Sequence, residues 1–170
     1  MRYLTIVRHA KAERAASEHN DFDRKLNDRG RRQCQQLRFW ANDPHELGLF
    51  GPTTALVSAA ARTRETFRRA FDATPFVREC VFSELLYNGL RDVSAEDMLI
   101  DVAAIDPVTT SLLVVGHNPT VLEFLWTLCE DLPDALREGY PLAGAFVLAL
   151  PQDEQIGLGP YPLVARYVPT

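Results

Sequence analysis

Residues Leu112-Leu113-Val114-Val115, between Ser111 and Gly116, form an apolar run that no polar residue interrupts. A strand with one face in water alternates apolar and polar side chains, whereas an unbroken run has both faces covered. The run is far too short to cross a bilayer, which takes roughly 20 apolar residues. Its predicted place is therefore the centre of a sheet, and the rest of the chain must supply layers on both sides.

Four further strands are predicted at Leu4 to Val7, Thr54 to Ser58, Phe76 to Phe82 and Ala145 to Leu150, with a last one at Leu163 to Val168. Between them lie stretches of helical period. One runs from about Arg31 to Trp40, capped by Asn27 or Asp28 and ended at Asn42-Asp43-Pro44. A second spans Ala59 to Phe71, with Ala60, Thr63, Phe67, Ala70 and Phe71 on one face and Arg62, Thr66 and Arg69 on another. Ser94 is placed to cap a third, from Ala95 to about Ala104. A fourth follows the central strand to about Cys129, with Asn118 as its N-cap and Pro119 at its first position. Strands alternating with helices predict an α/β fold with a mostly parallel central sheet. With 170 residues and no repeats, residues 1–170 read as one domain.

Composition narrows the function classes. A net charge of −5 and a pI near 5.4 argue against a nucleic-acid partner, which a basic footprint would mark. No membrane segment is expected, and the first apolar run meets Arg8, His9, Lys11, Glu13 and Arg14 too soon for a signal peptide, so a cytoplasmic location is expected. Cys34, Cys80 and Cys129 are scattered, odd in number and without C-x-x-C spacing, which reads as small buried hydrophobes. Nothing in the sequence specifies an oligomeric state.

Polar residues of one chemical kind recur where strands end. Arg8 and His9 follow the first strand, Ser58 and Arg62 the second, and His117 with Asn118 the central one. In open α/β sheets the carboxyl ends of the strands are where ligands bind. Two arginines suit a dianionic phosphoryl group, which forked guanidinium donors can hold and neutralise. A helix N-terminus at Asn118 would add backbone donors. Two histidines permit metal binding or nucleophilic catalysis. Metal binding fits worse, because no third ligand stands at ligand spacing and flanking arginines repel a cation. An imidazole nucleophile would take the phosphoryl group and release it to water, dividing one hard displacement into two.

These stretches resemble the histidine phosphatase (phosphoglycerate mutase-like) superfamily. Leu4-Thr5-Ile6-Val7-Arg8-His9-Ala10 is similar to its Arg-His-Gly signature, with alanine where glycine is usual. Ser58 to Thr66 is similar to its Ser-x-x-x-Arg-x-x-x-Thr motif, and Val115-Gly116-His117-Asn118-Pro119 to its second-histidine motif. The length, Arg24-x-Leu26-x-x-x-Gly30-x-x-Gln33 and Glu84-Leu85-Leu86-Tyr87 resemble the SixA-type phosphohistidine phosphatases in particular. The resemblance implies a three-layer αβα sandwich of phosphoglycerate mutase type, and a metal-independent phosphatase that needs no cofactor. It implies His9 as the nucleophile, Arg8 and Arg62 as phosphoryl ligands, and His117 as a donor to the phosphoryl oxygens. Ser58 either adds a hydrogen bond or orients Arg62, and Asn118 is a candidate substrate contact. Glu84 is either the acid that protonates the leaving group or an exposed residue opening a loop.

The expected partner is a phosphorylated protein carrying phosphohistidine, since the chain leaves little room for a cap over the site. A small phosphate ester is the alternative substrate, and a phosphate-binding or phosphoprotein-binding module with little turnover is the alternative class. Thr66 is expected to pack, and His19 and His45 to be solvated. The basic run Arg24, Lys25, Arg29, Arg31, Arg32 and Arg38 is either a solvated helix face or a dock for an acidic phosphoprotein.

Overall fold

A computed structural model describes residues 1–16, 21–87, 89, 92–105 and 111–170. Strands β1 (Arg2–Arg8), β2 (Thr54–Ser58), β3 (Glu79–Ser83), β4 (Leu112–Gly116), β5 (Ala145–Leu150) and β6 (Leu163–Tyr167) form one sheet. Its order is β3-β2-β4-β1-β5-β6. The first four in that order are mutually parallel, and β5 and β6 continue it antiparallel. Parallel neighbours need a crossover, and helices supply it. These are α1 (Asp28–Asn42), α2 (Ala61–Ala70), α3 (Ala95–Ile105) and α4 (Thr120–Leu128).

The core divides along the alternation of the strands. Leu4, Ile6, Leu56, Leu112 and Val114 pack on one face against Met98, Val102, Phe124, Leu125 and Leu128 of α3 and α4. Val7, Ala55, Val57, Leu113 and Val115 face the other way, onto Cys34, Leu37 and Trp40 of α1 and Phe67 and Ala70 of α2. The result is the expected three-layer αβα arrangement. All five residues of β4 are buried, as its unbroken apolar run requires.

Several expectations need correction. The third strand begins at Glu79, not Phe76, because it pairs residue for residue with the five-residue β2, from Thr54↔Glu79 to Ser58↔Ser83. Helix α1 starts three residues before Arg31. Asn27 is its cap, with Oδ1 accepting from the Gly30 amide at 2.9 Å. Gly30 is no breaker there: a Cβ would run into the Lys11 carbonyl, so the glycine lets α1 sit directly on the chain after His9. Asn118 does not cap α4. Pro119 holds the cap position, and the first turn is closed by backbone bonds from Val121 to His117 and from Glu123 to Pro119. Cys34 and Cys129 are buried, but Cys80 is half-exposed on the edge strand. His45 is exposed as expected, and His19 lies outside the described residues. No helix is long and apolar enough to cross a membrane among the described residues.

Candidate active site

The parallel register lays the strand ends in line, Arg8 beside Gly116 and Ser58 beside Ser83. The residues just past each strand therefore gather on one rim. His9 is 9% exposed, and its backbone is tied on both sides, with its amide on the Gly116 carbonyl and its carbonyl accepting from Ala143. Its ring Nδ1 lies 2.7 Å from the Ala10 carbonyl oxygen. A carbonyl can only accept, so Nδ1 carries the proton and Nε2 keeps its lone pair. The turn after His9 is fixed from α2, where Thr66 Oγ1 accepts from the Ala10 amide at 3.0 Å and donates to the Arg62 carbonyl at 2.7 Å. Ala10 is not among the residues with positive φ, so this turn does not use the freedom that glycine would bring.

His117 is buried beside it, with ring centroids 5.2 Å apart. Its Nε2 lies 2.7 Å from Ser58 Oγ, while its Nδ1 is buried without a hydrogen-bond partner among the described residues. Ser58 thus orients His117, not Arg62. The ring of Tyr87 meets His117 edge-on at 5.8 Å.

Three arginines surround the pair. Arg8 Nη1 donates to the Tyr140 carbonyl at 2.7 Å. Arg62 is 5% exposed and is held by Asp21, with Nη1 on the Asp21 carbonyl at 2.9 Å and Nη2 on its Oδ2 at 3.3 Å. Arg24 Nη2 reaches the other oxygen of the same carboxylate at 2.9 Å, and its Nη1 reaches the Glu13 carbonyl at 3.0 Å. Tyr87 also donates its hydroxyl to Asp21 Oδ2. One carboxylate therefore fixes two guanidinium groups relative to each other. The Nε–H donors of Arg8, Arg24 and Arg62 are all buried and meet no acceptor among the described residues.

Electrostatics reflect this packing. Burial is the largest cause that pushes His9 down to about 3; Arg62, Arg8 and Arg24 act in the same direction, against the pull of the Ala10 carbonyl. His117 is held well below its usual range by burial and then by His9 and the same arginines. Both imidazoles are neutral at pH 7. Burial would raise the Asp21 carboxyl, but the Tyr87 hydroxyl and the charges of Arg62 and Arg24 outweigh it and keep Asp21 ionised. Three cations against one carboxylate among the described residues leave two positive charges in excess, the complement of a phosphoryl dianion. Among the described residues no group of three or more His, Cys, Asp or Glu is placed to hold a metal.

Of the residues singled out from the sequence, Arg8, His9, Ser58, Arg62 and His117 come together. Glu84 opens the turn after β3, exposed, and its carboxylate makes no hydrogen bond among the described residues. Asn118 is half-buried and lines a cavity of about 500 Å³ with Asp92, Ser94 and Glu123. Four neighbours are not evident from the sequence: Asp21, Arg24, Tyr87 as a hydrogen-bond donor, and Thr66 as more than packing. Arg24, expected with the basic run of α1, instead precedes that helix and turns to the site. The Thr at the end of Ser58-x-x-x-Arg62-x-x-x-Thr66 is the available signal for Thr66, since one helical turn links it to the Arg62 carbonyl.

Neither a family model nor a curated protein matches this sequence. Solved structures do. The chain is similar over 99% of its length, and 99% of the other, to a structure assigned as the phosphohistidine phosphatase SixA of Agrobacterium tumefaciens, with 32% identity and a TM-score of 0.77. The chain belongs to the SixA branch of the histidine phosphatase superfamily. It is a hydrolase of the phosphatase class. A structure assigned as SixA of Nakamurella multipartitia is 25% identical over 99% of this chain and 96% of its own, with a TM-score of 0.74. A protein histidine phosphatase SixA complexed with tungstate shares the fold at 20% identity, with a TM-score of 0.71 over 98% and 96% of the two chains.

Proposed function

We propose that this chain is a metal-independent phosphatase that passes the phosphoryl group through His9 and acts on phosphohistidine borne by a protein. One observation carries the reading. The His9 ring donates from Nδ1 to the Ala10 carbonyl, which leaves Nε2 as an unprotonated nucleophile inside a ring of guanidinium donors.

In the first step His9 Nε2 attacks phosphorus, an Nε2–P bond forms and the bond to the leaving imidazole breaks. The electron pair of that bond stays on the leaving nitrogen, which takes a proton from solvent and departs as neutral imidazole. In the second step water attacks phosphorus and the Nε2–P bond breaks, its electron pair returning to Nε2. Hydrogen phosphate departs, one water proton passes to solvent, and His9 is restored with its proton still on Nδ1. The equatorial oxygens gain charge in both steps, and Arg8 and Arg62 hold them, with Arg24 adding positive charge from the far side of Asp21. If the Ser58 hydroxyl donates to His117 Nε2, the His117 proton rests on Nδ1, the buried nitrogen without a protein partner, and is available to a phosphoryl oxygen. Arginines packed around both imidazoles disfavour a cation there, which supports chemistry without a metal. A leaving imidazole needs less proton assistance than an alkoxide, so the exposed position of Glu84 suits phosphohistidine better than an ester. The likeness to two SixA proteins along the whole chain supports the protein-borne substrate.

The test is a paired assay in chelator, with a phosphohistidine-bearing phosphotransfer domain against a panel of small phosphate esters. Faster release from the protein is expected. Preference for an ester would move the substrate to small molecules, and tight phosphate binding without turnover of either would leave only a binding module.

A further inference from the structure

A groove beside the site is basic on one wall and apolar on the other. It has a volume of about 400 Å³ and runs between Arg29, Arg32, Gln33 and Gln36 of α1 and the Pro141-Leu142 loop, with Pro169 and Thr170 at one side. Both walls are fastened to the turn that carries His9. Gln33 Oε1 accepts from the Lys11 amide at 2.9 Å, and Asn27 donates its amide to the Lys11 carbonyl at 3.0 Å. Across the groove, Ala143, which follows Leu142, donates to the His9 carbonyl at 3.2 Å. The groove therefore borders the backbone of the His9 to Lys11 turn from both walls.

The charge in it is uncommitted. Arg29 and Arg32 stand one helical turn apart and so share a face of α1, and Gln36 continues that face. Both are exposed, and neither has an acidic partner among the described residues, whereas Arg31 between them is engaged by Asp28 and Glu65. Residues 24–38 hold six basic side chains and one acidic one, in a chain whose net charge is −5. An acidic partner is repelled by most of this surface and drawn to this strip, which orients it on approach.

We propose that this groove docks an acidic segment of the phosphorylated protein, and so presents its phosphohistidine to His9. The inference rests on the protein-substrate reading above. None of the residues lining the groove is among those gathered around His9, so the groove is expected to affect the protein substrate and not a small ester.

The experiment compares the wild type with Arg29→Glu/Arg32→Glu and with the milder Arg29→Gln/Arg32→Gln. The substrates are a phosphohistidine-bearing phosphotransfer domain with an acidic face, phosphorylated by phosphoramidate, and para-nitrophenyl phosphate. Charge reversal is expected to raise KM for the protein roughly tenfold or more, neutralisation less, and added salt to raise the wild-type KM in the same direction. Ester kinetics within about twofold of wild type report that the variants are folded and the His9 site intact. An unchanged KM for the protein in the charge-reversal variant would overturn the docking proposal alone. A wild type that hydrolyses the ester and leaves the phosphoprotein untouched would overturn the protein-substrate reading, and the docking proposal with it.

Discussion

His9 is buried among three guanidinium groups with its proton on Nδ1, so the neutral ring that a nucleophile needs is its resting state. Its ordinary pKa of 6.5 falls to about 3 in the folded chain. Between those values the unfolded chain binds a proton that the folded one refuses. The contribution of His9 to stability is therefore complete above about pH 6.5 and declines as the pH falls toward 3. His117 acts in the same direction. Titration monitored by nitrogen NMR is expected to find the His9 ring neutral at pH 5, and a His9 that titrates near 6.5 would contradict this environment. Arg62 matters through charge held in place. Arg62→Ala removes a buried cation and leaves Asp21 held by Arg24 and Tyr87 alone, and should lower kcat about 10²–10³-fold, the cost of losing one preorganised donor to a developing charge. Steady-state kinetics check this, with a loss under tenfold counting against the assigned role.

At the scale of elements, the site depends on how helices are pinned to strand ends. Thr66 is the pin between α2 and the turn after β1. Thr66→Val keeps the shape and leaves the buried Ala10 amide without an acceptor, at a cost of about 1–3 kcal/mol. Denaturant unfolding should register that loss, and turnover should fall with it because the amide next to His9 loses its anchor. These pins also mark the limit of what the sequence makes legible. Leu112 to Val115 declares a central strand by composition alone, and Arg8, His9, Arg62 and His117 are readable from where strands stop. Asp21 and Arg24 are not, because they lie in a polar stretch without periodicity, and only folding brings that stretch over α2 to clamp Arg62. Glu84 shows the converse, since its place after β3 is readable but the exposure of its side chain is not.

In the molecule as a whole, four parallel strands bring their carboxyl ends to one rim, and α1 and the Pro141-Leu142 loop extend that rim into a basic groove. The sheet and its two layers position the candidate site, and on the docking proposal the groove beside it selects what is brought there. In the proposed mechanism phosphate resides covalently on His9 during turnover. The most direct measurement is to quench the reaction in alkali shortly after adding radiolabelled substrate, then map any labelled peptide. A base-stable, acid-labile phosphoryl group is expected on His9 and absent from His9→Ala, which should also retain less than about a thousandth of wild-type turnover. Unlabelled enzyme during rapid turnover, label on another residue, or a His9→Ala variant that still turns over would contradict it.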